Sequence, residues 1–181
     1  MTSYFSILYI TVIMNAENHS LPKPLTAEKA YQKITAYCSF RDRTRKEILD
    51  KLYAIGTSKD IVKNLILKLE AEGYLDEERM ARTYAGGKFR VKAWGRKKIQ
   101  VHMKHLGLSK EQISKGLEEI NSQEYQSRLS DLFDKKWQSL EKEEDQRQRL
   151  AKTIRFLAGK GYEADLIWDV VRQRNLSLET D

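Results

Sequence analysis

Residues 79–110, RMARTYAGGKFRVKAWGRKKIQVHMKHLGLSK, carry ten Lys or Arg and two His without one Asp or Glu. Elsewhere in the chain the two signs of charge are interleaved. The chemistry this window offers is attraction of a polyanion by cations that no neighbouring carboxylate neutralises. Its candidate binding residues are Arg90, Lys92, Arg96, Lys97, Lys98 and Lys104. Lys97 and Lys98 fall in the first turn of an expected helix, where the helix dipole disfavours cations by some tenths of a kcal/mol. An anionic partner would offset that cost, because phosphate is held both by lysines and by free backbone N–H groups at a helix start. For any single lysine a solvated helix face is the simpler account; for the whole window a binding surface is. Phe89 and Trp94 could stack on a base or a guanidinium, but a wedge between helices is the expectation, with Tyr84 in the core. Arg41, Arg43 and Arg45 form a second basic cluster, diluted by Asp42 and Glu47. An Arg43–Glu47 pair one helical turn apart is its plainest reading.

Other chemistry falls short. His102 and His105 lie three apart, compatible with one helix face, yet no third metal ligand accompanies them. Gly159-Lys160-Gly161 lacks the Gly-x-x-x-x-Gly-Lys-Ser/Thr pattern of a phosphate loop and reads as a helix–helix turn. Cys38 is the single cysteine, which excludes an internal disulfide; its spacing from Ala30 and Ile34 makes it a small core residue. Glu141-Lys142-Glu143-Glu144-Asp145 reads as an exposed loop or helix end. No nucleophile, paired carboxylates, metal set or cofactor motif emerges, so an enzyme is not expected.

The elements that position the cations are helical. Of 181 residues, 33% are charged and 40% hydrophobic. The two prolines both precede Leu25, so no later helix is broken by proline. From Leu25 onward the apolar residues keep helical spacing, and a larger period overlies them. In residues 44–69, Ile48, Leu52 and Gly56 step by four, followed by Ser58, Ile61 and Leu65; in residues 95–120, Ile99, Met103 and Gly107 do the same, followed by Ser109, Ile113 and Leu117. A weaker third copy runs through Leu157, Gly161, Leu166 and Val170. Gly56, Gly107 and Gly161 therefore recur at a period of roughly fifty residues, the scale of a repeated structural unit. Each glycine closes a helix in the left-handed conformation, and Ser109 with Gln112 caps the next one. An apolar segment precedes each pair: Ala30-Ile34-Cys38, Met80-Tyr84 and Leu129-Phe133-Trp137.

The expected architecture is therefore all-α: three tandem three-helix repeats in an elongated, curved arrangement, over residues 25–75, 76–120 and 121–175, with a tail at 176–181. Residues 1–24 are expected to be a disordered leader; their apolar run, MTSYFSILYITVIM, is too short to span a bilayer and suggests a true start at Met14. Charge is uneven among the repeats. The first has ten basic against seven acidic side chains, the second eleven against six, and the third together with the tail (121–181) eleven against twelve. The middle repeat holds most of the net +7, whose natural partner is polyanionic.

Three stretches add a resemblance. SFRDRTRKEILDKL (39–52), EAEGYLDEERMARTY (70–84) and WGRKKIQVHMKHLGLS (94–109), in this order and spacing, resemble the RecX family of recombinase regulators across about residues 26–175. Met80 stands where the family usually has Phe, and Gly86-Gly87 interrupts an expected helix, marking a hinge or a shorter helix. The resemblance implies a cytoplasmic, monomeric modulator. It would bind the RecA recombinase and its single-stranded DNA filament and restrain their ATPase and strand exchange, with Arg41 and Arg45 joining the recombinase contact and no membrane involved. The alternative is a sequence-tolerant DNA-binding protein acting without RecA, through helix pairs such as that spanning Ile99–Leu117.

Overall fold

The computed structural model describes residues 25–177, and the expectations for residues 1–24 and 178–181 lie outside it. Nine α-helices and no strand occur among the described residues. They are α1 (Ala27–Ser39), α2 (Arg45–Ala54), α3 (Lys59–Ala71), α4 (Glu77–Lys92), α5 (Arg96–His105), α6 (Lys110–Leu117), α7 (Ser122–Gln138), α8 (Gln146–Lys160) and α9 (Ala164–Gln173). They group in threes along the chain. No helix among these residues is long and apolar enough to cross a membrane.

Local chemistry sets the boundaries. Thr44 and Ser109 head α2 and α6 with reciprocal capping boxes to Glu47 and Gln112, each satisfying two backbone donors that the helix start leaves over. The second helix of each repeat ends on the glycine expected to close it: Gly56, Gly107 and Gly161 adopt φ of 80°, 88° and 92°. All three values are positive, the left-handed conformation that glycine takes without a Cβ penalty. Ser58 heads α3 without a side-chain cap bond.

Two expectations need correction. α4 runs unbroken through Gly86-Gly87, which is neither a hinge nor a helix end. Gly86 is buried where α4 meets the end of α6, and a Cβ there would press on the Arg90 guanidinium and on Glu119 Cγ. Gly116 of α6 has the same cause: a Cβ would lie 2.9 Å from Ala81 Cβ. Small residues thus let α4 and α6 pack backbone to backbone. In α3 the buried residues are Val62, Leu65, Ile66 and Leu69, so the stripe is centred one residue after Ile61.

The three repeats are not equal partners. Repeat 1 closes its own core around Ala30, Ile34, Ile48, Leu52 and Leu69. Repeats 2 and 3 share one core, from Met80 through Phe89, Ile99, Tyr125 and Phe133 to Val171. Its middle is aromatic: Tyr125 of α7 lies 5.7 Å from Phe89 of α4 and 5.0 Å from Tyr162. Repeat 1 meets repeat 2 across polar groups instead. Arg79 pairs with Asp42 at 3.0 Å and donates to the Gly73 carbonyl at 2.8 Å, while Glu77, steadied within repeat 2 by Gln112 at 3.0 Å, accepts from the Arg45 backbone N–H at 2.9 Å.

Candidate functional site

The acid-free window occupies most of α4, all of α5 and the turns around them. Trp94 and Gly95 make the turn before α5, and Gly95 is its N-cap without a side chain to offer. The first N–H groups of α5 should then be free for an anion, yet they are occupied. Gly95 N–H donates to the Lys160 carbonyl at 2.8 Å and Lys97 N–H to the Gly161 carbonyl at 3.1 Å, both at the end of α8. Arg96 N–H donates to Tyr125 Oη at 2.9 Å. The positive end of α5 therefore abuts the negative end of α8, and the expectation of a phosphate on the free backbone of this helix start is corrected.

The cations divide accordingly. Arg96 turns inward, with its guanidinium donating to the Ile120 carbonyl at 3.1 Å and lying 4.1 Å from the centre of the Tyr125 ring. Lys98 Nζ donates to the Gly159 carbonyl at 3.1 Å, near the end of α8. Lys160 answers across the same junction by donating to the Lys92 carbonyl at 3.3 Å, where α4 ends. Arg90 pairs with Glu119 at 3.4 Å. These side chains are engaged with helix-terminal carbonyls or a carboxylate, which is one physical reason the window tolerates so little acid.

Lys92, Lys97 and Lys104 are exposed, and none meets a carboxylate among the described residues. Lys97 and Lys104 lie two helical turns apart on α5 and share the face opposite buried Ile99 and Met103. Val101 lies between them at 52% exposure, and Val91 beside Lys92 at 77%. The resulting surface is basic with apolar contact points. Trp94 is half-buried, its ring 4.5 Å from that of His102 and flanked by Lys88 and Lys98, so it packs within repeat 2. Phe89 is fully buried and Tyr84 half-buried. No group of three His, Cys, Asp or Glu among the described residues is arranged to hold a metal.

In the second basic cluster Arg41 pairs with Glu47 at 2.5 Å, Arg43 pairs with the same carboxylate at 3.5 Å while stacking 3.8 Å from the Tyr37 ring, and Arg45 pairs with Glu70. Glu47 is pushed up by burial, but Arg41, the Thr44 N–H and Arg43 together hold it below the ordinary carboxylate range. Arg41 and Arg45 stay about half exposed, so both keep an open side.

One structural centre escaped the sequence reading. Tyr125 donates to Glu163 at 2.6 Å while accepting from Arg96 N–H, tying the middle repeat to the last; burial and Glu163 raise its phenol far above the ordinary value. Its place four residues before Leu129 on the same apolar stripe was the available signal.

Comparison with known proteins gives this geometry a family. Models of the first, second and third three-helix domains of RecX match residues 30–74, 76–117 and 123–171. The regulatory protein RecX of Oceanobacillus iheyensis is 26% identical over 156 residues, covering 86% of this chain and 57% of that protein. That of Clostridium perfringens is 32% identical over 132 residues, covering 72% and 61%. The chain thus spans about three-fifths of the length of these relatives. The crystal structure of RecX from Lactobacillus salivarius superposes with a TM-score of 0.75 at 21% identity, covering 82% of this chain and 96% of that one, a likeness of fold. Three domain models in family order, on three helical triplets that match them, establish that the chain belongs to the RecX family.

Proposed function

We propose that this protein binds the RecA recombinase and its single-stranded DNA filament and inhibits the filament's ATPase and strand exchange, acting as a cytoplasmic monomer in recombination and repair. The observation that carries the reading is the outward face of α5. Lys97 and Lys104 lie on it without carboxylate partners among the described residues, in the most basic of three repeats joined in series. Such a series offers the length a filament partner needs, and its exposed lysines suit DNA phosphate or an acidic filament surface. Lys92 extends this surface, and the open sides of Arg41 and Arg45 add a second contact in repeat 1. Arg90, half exposed beside Glu119, borders this surface, and Arg96 and Lys98 support it from within.

The alternative, duplex binding by α5 and α6 without RecA, fits less well. A recognition helix needs basic or neutral groups facing DNA, whereas α6 and its end carry Glu111, Glu118 and Glu119, all exposed. The deciding experiment titrates RecA ATPase on single-stranded DNA with the wild-type chain and with Lys97→Glu/Lys104→Glu. The expected result is inhibition by wild type and markedly weaker inhibition by the variant. Equal inhibition by both overturns the role of this face, and steep salt-dependent binding to naked duplex that RecA does not improve favours the alternative.

A further inference from the structure

Repeats 1 and 2 each carry a groove between their second and third helices, and the two grooves are copies. Six of the eight positions lining the α2–α3 groove have a counterpart in the lining of the α5–α6 groove, at the offset that separates Gly56 from Gly107. Val62 and Ile66 in one correspond to Ile113 and Leu117 in the other, giving each an apolar floor. Lys59 corresponds to Lys110, each the first residue of its helix. Neither groove has an Asp or Glu in its lining, while Arg45, Lys59 and Lys63 edge the first and Lys104 and Lys110 the second. Arg45 is shared with Glu70, which is outside the lining. Tyr53 and Leu67 stand at the first groove 50% and 58% exposed.

The grooves adjoin. Gly107, in the turn beside Leu108 of the second groove, packs so closely on Lys46 that a Cβ there would lie 3.1 Å from Lys46 Cβ. Lys46 neighbours Arg45 of the first groove. In repeat 3 the offset from Gly107 to Gly161 puts Ala158 and Ala164 where repeat 2 has Lys104 and Lys110, so the cationic edge is lost.

We propose that these are two tandem docking grooves for an acidic amphipathic helix of a partner protein. Spaced apolar side chains would enter the floors and Glu or Asp would meet the lysine edges. Charge complementarity selects acid, and the apolar floors select a peptide over a nucleic-acid backbone, whose phosphates would use only the edges. The residues proposed to contact the filament share only Lys104 and Arg45 with these grooves, and the test needs neither recombinase nor filament.

The probe is a fluorescein-labelled synthetic helix of Leu and Glu in amphipathic order, followed by anisotropy and calorimetry. Controls are the Leu–Lys helix of the same pattern, polyglutamate and oligothymidylate. The expected result is saturable binding of two Leu–Glu helices per chain. Tyr53→Ser/Leu67→Ser should weaken one site about tenfold or more and Lys110→Glu/Ser114→Glu the other. Lys59→Glu/Lys63→Glu serves for the first groove should its partner variant lose helicity. The proposal is overturned by absence of saturable binding, by equal binding of the Leu–Lys helix or polyglutamate, by folded groove variants that keep both sites, or by oligothymidylate displacing the peptide from both.

Discussion

Gly95→Ala is the sharpest perturbation of this structure. A methyl group there would overlap the Gly161 carbonyl carbon and oxygen and the Tyr162 nitrogen, all backbone atoms with no rotamer to yield. The helix ends must separate, at an overpacking cost of about 1–3 kcal/mol. Separation also breaks the Gly95–Lys160 and Lys97–Gly161 hydrogen bonds, 2.8 and 3.1 Å long, each contributing about 1 kcal/mol net. The expected loss is about 4 kcal/mol, a large part of the roughly 5–15 kcal/mol that holds a domain folded. Gly87→Ala is the control: α4 is helical there and nothing lies within 4 Å of a Cβ, so a gain of up to about 1 kcal/mol is expected from helix propensity alone. Urea unfolding followed by far-ultraviolet circular dichroism measures both. Hydrogen exchange adds location, because the loss should fall on α4–α9 and spare α1–α3, whose core is separate. A Gly95→Ala loss under about 1 kcal/mol, or a loss spread evenly into α1–α3, would refute the account of the junction.

Tyr125→Phe should destabilise by about 1–3 kcal/mol in the same assay, since it removes the acceptor for Arg96 N–H and leaves Glu163 without its donor. Lys97→Gln and Lys104→Gln should each flatten the salt dependence of single-stranded DNA binding by about one unit of log–log slope, while Arg96→Gln should lower stability instead. Acid should weaken the link from α9 to α7: hydrogen bonding by Arg174 holds the Asp134 carboxylate below its ordinary range, at 2.7 Å. Its folded value lies under the unfolded one, so the contribution is complete above about pH 4 and fades as pH falls through the folded value. Asp134→Asn should flatten that acid limb of the urea midpoint. Cys38 should resist alkylation in the native chain and react on unfolding, because it is buried and burial raises its thiol, with Arg43 opposing only in part.

The helical triplets were legible because a helix closing on glycine has to repeat its chemistry: Gly56, Gly107 and Gly161 each need a positive φ, and apolar residues four apart need an inward face. The basic character of the middle repeat was legible from charge alone. What the sequence could not disclose was pairing across long separations. Lys97 and Lys98 are adjacent and alike, yet one faces solvent and the other caps α8, because the partner carbonyl of Gly159 comes far later in the chain. Arg96 resembled a surface cation until Tyr125 and the Ile120 carbonyl met it. Gly86-Gly87 suggested a break because its cause, the close passage of α6, is tertiary.

The cross-capping at the α5–α8 junction orders events during synthesis. Repeat 1 contains the whole of its own core and can settle while later residues are still inside the ribosome. Repeat 2 cannot: the groups that seat the start of α5 sit at Gly159, Lys160 and Gly161, and the phenol that receives Arg96 N–H belongs to α7. Repeats 2 and 3 therefore mature together, and the strongly cationic α5 is left waiting for the end of α8 to emerge.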